Sequence, residues 1–554
     1  MKKVVFPFVV MLFAAGCSNQ EPMPSVTITN EVLNPVNDHL FGQFLEKCSW
    51  GGEIGGDLVI NPETGEFDPR ILGMLKQMKI PNLRFPGGTD VDYYDWTDMI
   101  DHAPGQTSRN PYYAYRQGDG DSIVSDNRLG FDEFLALCDT LGAEPILVLN
   151  IGDAFLEKES IEEARKSAAS LWSYCNAAAG SGEWATYREL NGRRKPYDVQ
   201  YFEIGNEYWG FEGFNWKGGE ADTALVKHLF ECIRGVADTL LALDPGVKII
   251  VDGPLPGLNR LFEQQMQDKI SYIVFHPYLP WNVNNIVDRD GNDVDPESLG
   301  QHDLWKAWVS TPAIDSATGF SKMFDDRYTQ SARNTIFPVA CTEWNWNGWL
   351  SGAVKKSGMV ESDLAKGIGA AGFLHSFMRE GEKIEMAMQS MLLGKSWGIT
   401  GIRVDPEYQQ DPVFLPSFQV TGLYSNYHGN ERLKVRSEEI PVYAQPLTMN
   451  ALKAAPKVAY LDIVATRTDD QVYLHVINRN YTDTYAVDVQ FEGLTVKKQY
   501  KRLALIGEKS AEISNSLLRH AAHVESSEFT QNRENLHIQV PESSVSVFVF
   551  DLQE

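Results

Sequence analysis

A regular alternation of short apolar strands with amphipathic helices, from about residue 40 to residue 395, constrains the fold more than any other feature. Alternation of this kind is typical of repeated βα units and a parallel sheet. The predicted strands are residues 40–46, 82–87, 145–151, 199–207, 248–253, 272–278, 338–344 and 385–392, with helical patterns such as 69–79, 131–141, 221–243 and 363–379 between them. Eight such strands close most simply into a (β/α)₈ TIM barrel. A doubly wound open sheet is the rival, but no G-x-G-x-x-G follows the first strand.

The pattern changes after about residue 410, where short alternating runs are separated by turn residues. These runs are residues 458–465, 471–478, 486–491, 499–505 and 545–552. They predict a C-terminal β-sandwich after the α/β barrel. Residues 25–30 are also strand-like and are expected to join that sandwich from the other end of the chain. The expected division is therefore 25–38 for this N-terminal strand, 39–400 for the barrel and 401–554 for the sandwich.

The N-terminus has the features of a secretion signal. Met1-Lys2-Lys3 is basic, and the apolar stretch 4–15 is too short to span a bilayer as a helix. It ends in Phe13-Ala14-Ala15-Gly16-Cys17, which resembles the bacterial lipobox. We expect residues 1–17 to contain a lipoprotein signal peptide, Cys17 to be acylated and residues 18–24 to form a tether. The protein would then be anchored outside the cytoplasm, on a periplasmic or cell-surface face, and no later segment suggests a second membrane span.

The net charge and the spacing of possible metal ligands argue against two classes of protein, nucleic-acid-binding proteins and metalloenzymes. The chain has 49 Lys and Arg against 75 Asp and Glu, a formal charge of −26, and no basic run. Nucleic-acid binding is therefore not expected. The cysteines other than Cys17 lack the close spacing of zinc or redox motifs, and the eleven histidines form no H-E-x-x-H. We predict buried thiols, no catalytic metal and no cofactor.

Polar residues at the predicted strand ends indicate where an active site would lie. In a TIM barrel the site forms at the C-terminal ends of the strands. Six predicted strands end in groups that carry charge or form hydrogen bonds, and these converge on one mouth. Their terminal residues include Glu46, Arg84, Asn150, Asn206, Glu207, His276, Tyr278 and Glu343.

Two of these carboxylates have the relation that glycoside hydrolysis needs. Glu207 ends the fourth strand and Glu343 the seventh, on opposite sides of the mouth. One carboxyl group would protonate the leaving oxygen. A retaining enzyme places the second, a nucleophile, about 5–5.5 Å away, whereas an inverting enzyme leaves about 6.5–9.5 Å for a water molecule. Sequence alone leaves both distances open.

The residues around these carboxylates resemble glycoside hydrolase clan A, and more closely its family-51 alpha-L-arabinofuranosidases. The resemblance runs from about residue 38 to the C-terminus. It is carried, in order, by Phe41-Gly42-Gln43-Phe44-Leu45-Glu46, Leu83-Arg84-Phe85-Pro86-Gly87-Gly88, Tyr93-Tyr94-Asp95-Trp96, Trp172-Ser173-Tyr174-Cys175-Asn176, residues 201–207 and Thr342-Glu343-Trp344-Asn345. The family also carries a C-terminal β-sandwich, and its members often assemble as homo-oligomers.

The resemblance implies roles for individual residues. Glu207 would be the general acid/base, Glu343 the nucleophile, and Asn206 a ligand of the sugar hydroxyl beside the scissile bond. Glu46 and His276 occupy positions near the bound sugar. Arg84 and Tyr278 are expected to keep Glu343 ionised and to contact the substrate, and Trp344, with Trp346 and Trp349, to form a sugar platform.

Several of these residues also have a structural interpretation. Glu203 shares the parity of Glu207 but lies deeper, where a hydrogen-bonded structural charge is expected. Arg84 is equally well explained as a counter-charge beneath the carboxylates, and His276 as a core histidine. Trp50, Trp209 and Trp281 lie near strand ends, where they would either line subsites or pack in the core.

The chain departs from the family at two positions that contact the sugar. Thr89-Asp90 follows Pro-Gly-Gly where the family usually has Asn, and the Ala-Gln pair of strand eight is out of register around Gln389. The first hypothesis is a retaining exo-acting alpha-L-arabinofuranosidase that acts on plant or algal polysaccharide. Alternatives are an endo-acting clan relative on xylan, glucan or galactan, and a non-catalytic glycan-binding lipoprotein. The long loop 101–127 would close the pocket of an exo-acting enzyme or form one wall of the cleft of an endo-acting enzyme.

Overall fold

The computed structural model describes residues 23–553 except 48–52, 114–123, 212–222, 254, 311–333, 358, 360, 451, 510–521 and 532–535. Eight parallel strands close into a barrel, which confirms the predicted fold class. In chain order, these barrel strands one to eight are Gly42–Phe44, Asn82–Phe85, Glu144–Leu149, Tyr201–Ile204, Lys248–Asp252, Ile270–Val274, Val339–Trp344 and Ile384–Gln389. Each overlaps a predicted strand and begins no more than two residues before it, because the apolar runs that predict the strands are those the barrel buries.

Helices surround the barrel and follow its strands in turn. The main ones are Pro69–Met78, Phe131–Leu141, Ile161–Asn176, Thr223–Leu243, Pro256–Gln265, Gln301–Trp308, Asp363–Arg379 and Pro416–Asn426, and shorter helices are Gly152–Phe155, Glu183–Leu190 and Gly352–Lys356. Local signals set their ends. Asp68 caps the first helix by accepting a hydrogen bond from the Arg70 amide at 2.9 Å. The final helix, Pro416–Asn426, packs between the first helix and Asp363–Arg379 and so closes the ring, although it lies beyond residue 400.

Nine strands form the second domain. In spatial order they are Ala522–Thr530, Val496–Gly507, Ser544–Leu552, Gln471–Asn478, Leu461–Arg467, Glu431–Glu438, Ser25–Pro35, Tyr485–Glu492 and Leu536–Val540. The sheet curls so that its ends face each other, and Phe491 contacts Phe550 edge to face at 5.2 Å. Ser25–Pro35 lies inside this sheet, antiparallel to Glu431–Glu438 and parallel to Tyr485–Glu492.

The two domains share a buried interface because the sheet has two apolar faces. In Gln471–Asn478, Val472, Leu474 and Val476 point into the sheet's own core, whereas the alternate residues Tyr473 and Ile477 join the core of the barrel helices.

An ionic network crosses this interface. Asp462 accepts hydrogen bonds from Arg479 at 2.9 Å and from Arg379. Although burial alone would raise the pKa of Asp462, Arg379 and Arg479 hold it well below its usual range. A buried ion pair of this kind is strongly destabilising to break, so it ties the domains together.

Short paired strands stiffen the connections at the rim and between the domains. They are Tyr112–Tyr113 with Val124–Ser125, Asn282–Val283 with Trp349–Leu350, Ile286–Val287 with Thr448–Met449, Val442–Gln445 with Ala455–Ala459, and the group Leu393–Gly394, Ile402–Arg403 and Val413–Phe414. None of the helices in the described part of the chain is both long and apolar enough to cross a membrane. The four described cysteines are free buried thiols, as predicted; they are Cys138, Cys175, Cys232 and Cys341.

Candidate active site

The two carboxylates predicted from the strand ends meet at the C-terminal mouth of the barrel. Glu343 lies in strand seven, and Glu207 follows strand four after a sharp turn. The backbone of Glu207 is in the left-handed region, with φ 43° and ψ 55°, and that of Gly205 also has a positive φ, of 72°. A Cβ at position 205 would lie 2.4 Å from the Ile151 side chain, so glycine is required there. The turn holds Glu207 in a strained conformation of the kind found at functional sites.

Glu343 is held as a carboxylate by donors on both of its oxygens. Arg84 donates from Nη1 to Oε1 at 2.9 Å, and the Tyr278 hydroxyl donates to Oε2 at 2.8 Å. Burial alone would raise the pKa of Glu343, but His276, Arg84 and Tyr278 together lower it below its usual range. Glu343 therefore stays ionised, as a nucleophile must.

The pKa of Glu207 is shifted in the opposite direction to that of Glu343. Burial and the negative charge of Glu343 raise its pKa, against the lowering effect of its hydrogen bond with His276. The atoms of that bond, Glu207 Oε1 and His276 Nδ1, are 2.9 Å apart. A carboxyl group whose pKa is raised above the ordinary glutamate range is suited to protonate a leaving group.

A chain of hydrogen bonds shows which ring nitrogen of His276 always carries a hydrogen and which one shares the titrating proton with Glu207. Glu203, paired with Arg84, can only accept, so the Thr342 hydroxyl donates to it at 3.1 Å. Thr342 must then accept from His276, whose Nε2 lies 2.8 Å away. Nε2 thus carries a hydrogen in either charge state, and the titrating proton lies between Nδ1 and Glu207. Although burial favours the neutral imidazole, Glu343 and Glu207 raise the pKa of His276 to about 9.

The separation of the carboxylates fits the retaining geometry. One oxygen of Glu207, one of Glu343 and a ring nitrogen of His276 all lie within 4.8 Å of one another. The two carboxyl groups therefore face a common space, and an approach this close is compatible with the separation of about 5–5.5 Å in retaining enzymes. The three groups also have the chemistry to ligate a metal ion. However, Arg84 already provides the positive charge 2.9 Å from Glu343, and a cation there would be repelled.

Other predicted residues face the space above Glu343. Asn206 is 3% exposed; its Oδ1 accepts from Arg84 at 2.8 Å, and its Nδ2 has no partner among the described residues. A Cβ at Gly88 would lie 3.0 Å from oxygens of both Glu46 and Glu343. Glycine at 88 therefore keeps a side chain out of the space between these carboxylates, and the Asn206 amide can donate to a group that enters the site.

Two residues predicted to contact substrate do not. Arg84 is fully buried, and its guanidinium holds Glu203, Glu343 and Asn206, so it is the counter-charge beneath the site rather than a sugar ligand. Trp344 is also fully buried and packs on Phe373 and Phe377 of a barrel helix. The prediction of Trp344 as a platform is wrong because adjacent strand residues face opposite ways, and Glu343 takes the inward direction.

Three other residues that were predicted to lie near the sugar also have different surroundings or roles from those expected. Trp346 is 1% exposed and belongs to the core. Asn150 points away from the carboxylates, because its side chain donates to the Tyr94 carbonyl and to Asp153. The hydroxyl of Tyr278 is committed to Glu343 and to Ser390, so it positions the nucleophile. Cys17, Cys48, Trp50 and part of loop 101–127 lie outside the described residues.

The structure also adds groups that the sequence did not single out. Ser390 supports Tyr278 from the end of strand eight, whereas Gln389 points outward to Thr421. Asp252 accepts from the amide of Tyr208, next to the acid/base candidate, at 3.1 Å. Burial raises the pKa of Asp252 to about 7. Both Asp252 and Ser390 lie at the C-terminal end of a barrel strand, and this position is the sequence feature that could have identified them as site residues.

A TIM barrel with a buried carboxylate pair of opposite pKa shifts is the architecture of a glycoside hydrolase. The sequence profile of the alpha-L-arabinofuranosidase 1 domain matches residues 74–230. The probable alpha-L-arabinofuranosidase C of Aspergillus fumigatus is 24% identical over 488 residues, which cover 86% of this chain and 88% of that protein. An intracellular exo-alpha-L-arabinofuranosidase of Bacteroides ovatus is 30% identical over 207 residues, 36% of this chain and 37% of that protein.

The fold has close counterparts among solved structures. The thermostable family-51 alpha-L-arabinofuranosidase of Thermotoga petrophila superposes with a TM-score of 0.67 at 22% identity, covering 95% of this chain and 99% of that one. The chain is therefore a glycoside hydrolase similar to the family-51 alpha-L-arabinofuranosidases, and the resemblance in its motifs is confirmed.

Proposed function

We propose that this enzyme is a retaining, exo-acting alpha-L-arabinofuranosidase that works by double displacement. The observation that carries the proposal is the pair of oxygens on Glu207 and Glu343 within 4.8 Å, one carboxyl group with a raised and the other with a lowered pKa. Neither a lone carboxylate nor a widely spaced pair would support this chemistry.

In the first displacement, a Glu343 oxygen attacks the anomeric carbon while the bond to the leaving oxygen breaks. Glu207 gives its proton to that oxygen, and a glycosyl ester on Glu343 results. Esterification removes the negative charge of Glu343, so the pKa of Glu207 falls. Glu207 then takes a proton from water as the water attacks the same carbon. The ester bond breaks, and Glu343 is again a carboxylate.

The names of the relatives support the sugar and the mode of action. The relative from Aspergillus fumigatus is called a probable alpha-L-arabinofuranosidase, and that from Bacteroides ovatus is called an exo-alpha-L-arabinofuranosidase. The substrate class we propose is therefore arabinofuranosyl-substituted plant or algal polysaccharide and its fragments.

Proton NMR of the hydrolysis of an aryl alpha-L-arabinofuranoside tests this proposal. We expect the alpha anomer of arabinose to appear first and the beta anomer only later, by mutarotation. Digestion of a branched arabinan should release arabinose from the first minutes.

A beta anomer as the first product would contradict the double displacement. A ladder of oligomers from an unsubstituted xylan, glucan or galactan would instead favour the endo-acting alternative. Turnover of no glycoside at all would favour a non-catalytic glycan-binding protein.

We also propose that the enzyme is anchored outside the cytoplasm through Cys17, on the strength of the lipobox-like Phe13-Ala14-Ala15-Gly16-Cys17. Cells that express the full chain should incorporate labelled palmitate into the protein, and the Cys17→Ser variant should not. The matched control is Cys232→Ser, which removes a different thiol and should leave labelling unchanged. Equal labelling of the Cys17→Ser variant would exclude the anchor.

A further inference from the structure

The turn that presents Glu207 has a backbone conformation that is unfavourable by itself. Glu207 has φ 43° and ψ 55°, in the left-handed region that residues other than glycine rarely adopt. A strained conformation of this kind persists only where the surrounding structure imposes it. Groups outside the turn must therefore hold residues 205–208 in place.

Asp92 holds one side of this turn. It belongs to the loop after barrel strand two and is 1% exposed. Its Oδ1 accepts from the amides of Ile151 and Gly152, both at 3.1 Å, and the backbone amide of Asn206 also donates to its carboxylate. One carboxylate therefore joins the chain that leaves barrel strand three to the residue that precedes Glu207.

Asp252 holds the other side. It is the last residue of barrel strand five and is 3% exposed. Its Oδ2 accepts from the amide of Tyr208 at 3.1 Å, and the buried Tyr208 hydroxyl donates to the carbonyl of Ile204 at the end of strand four. The amides of the residues before and after Glu207 thus both donate to buried carboxyl groups from other parts of the barrel mouth.

These two carboxyl groups are buried at an electrostatic cost. Burial raises the pKa of both Asp92 and Asp252 to about 7, and no lysine or arginine among the described residues is a main influence on either group. An apolar residue at either position would avoid the cost of burying a carboxyl group. The amide of the turn would then lose its acceptor. The hydrogen bonds to the turn are therefore what the two carboxyl groups supply.

We propose that Asp92 and Asp252 are positioning residues for the acid/base. Together they form a carboxyl clamp that holds the turn 205–208 so that Glu207 reaches the leaving oxygen. Both act through the backbone rather than on the substrate, and the inference rests on the proposed function. A displacement of about 1 Å in a catalytic group can lower the rate about 10²-fold, so losing one side of the clamp should impair proton donation.

A comparison of leaving groups separates this role from general damage. Asp252→Ala removes an acceptor and should lower kcat/KM about 10²-fold for phenyl alpha-L-arabinofuranoside, whose leaving oxygen needs a proton. For the dinitrophenyl glycoside, which needs none, the fall should be less than about fivefold. Asp252→Asn keeps an oxygen that accepts from the Tyr208 amide and should restore the phenyl substrate to within about fivefold of the parent value. Asp92→Ala should show the same selective loss.

The matched control is Asp68→Ala. Asp68 is also a buried carboxylate that accepts from backbone amides, those of Arg70 and Ile71, and it caps helix Pro69–Met78. This variant should unfold at a lower temperature but leave the ratio of the two kcat/KM values unchanged. Asp252→Leu, which has a similar volume and no acceptor, replaces Asp252→Ala if the alanine variant does not fold.

Equal falls on both substrates, or no fall on either, would overturn the proposal, and a selective loss in only one of the two aspartate variants would overturn the role of the other aspartate. Crystal structures provide a readout that does not depend on hydrolysis. The distance from Glu207 Oε1 to His276 Nδ1, 2.9 Å in the parent, should exceed hydrogen-bonding range in Asp252→Ala and be kept in Asp252→Asn. If the parent enzyme cleaves no arabinofuranoside, the proposed function fails and these structures alone decide: an undisturbed Glu207 in Asp252→Ala refutes the clamp.

Discussion

Replacing Glu343 by glycine should lower kcat by about 10⁴-fold or more, which is about 5.4 kcal/mol of transition-state stabilisation. The effect is large because no covalent intermediate can form without this carboxylate. Arg84 and Tyr278 would remain directed at an empty position. Steady-state kinetics with an aryl alpha-L-arabinofuranoside measure the loss. Glu162→Gln, which changes an exposed carboxylate on a barrel helix, should retain full activity.

Azide identifies the role of the missing group. In Glu343→Gly the anion fits the space of the lost side chain and attacks from the same face. The product should therefore be the beta-arabinofuranosyl azide, with inverted configuration. An alpha azide from this variant would show that Glu343 is the acid/base instead.

Replacing Glu207 by alanine should lower kcat/KM about 10²–10⁴-fold for substrates whose leaving group needs a proton. Substrates with a strongly acidic phenol, which leaves without protonation, should be affected far less in the first displacement. The measurement is a comparison of leaving groups of graded acidity. Azide should rescue this variant as well, with the retained alpha azide as product, because it attacks the glycosyl ester from the opposite face.

The pH profile gives an independent test of the same residue. Because the pKa of Glu207 is raised, its proton persists to higher pH, and the parent activity falls as pH rises through that value. Because the pKa of Glu343 is lowered, the acid limb begins only as pH falls through a value below the ordinary glutamate range. With an activated substrate, Glu207→Ala should lose the alkaline limb and keep the acid limb. An unchanged alkaline limb would contradict the assignment of Glu207.

Periodicity and strand ends were sufficient to predict much of this molecule. Apolar runs separated by helical patterns predicted the eight barrel strands, because the strands of a parallel sheet are buried on both faces and therefore form nearly continuous hydrophobic runs. The C-terminal ends of those strands share one mouth, so Glu207 and Glu343 could be expected to lie together before any distance was known.

Side-chain direction and long-range pairing were harder to predict. Trp344 is adjacent to Glu343 in the sequence, but its side chain faces the barrel helices. Arg84 donates its hydrogen bonds to the carboxylates of Glu203 and Glu343, which are remote from it in the chain. Ser390 reaches Tyr278 across 112 positions, a contact that no local pattern encodes. Trp281, Trp349 and Trp397 contact one another from three different loops. Of these three, the sequence had singled out only Trp281 and Trp349 as candidate sugar contacts.

The position of Ser25–Pro35 inside the second sheet governs the order in which this protein can mature. Thr29 hydrogen-bonds to Lys434, 405 positions further along, so Ser25–Pro35 stays without this neighbour until about 400 further residues have been synthesised. Closing so long a loop is slow, and an unpaired strand is prone to wrong pairing in the meantime. A barrel produced without its C-terminal partner would therefore begin with an orphan strand, and engineering of this enzyme should keep both ends of the chain or remove both together.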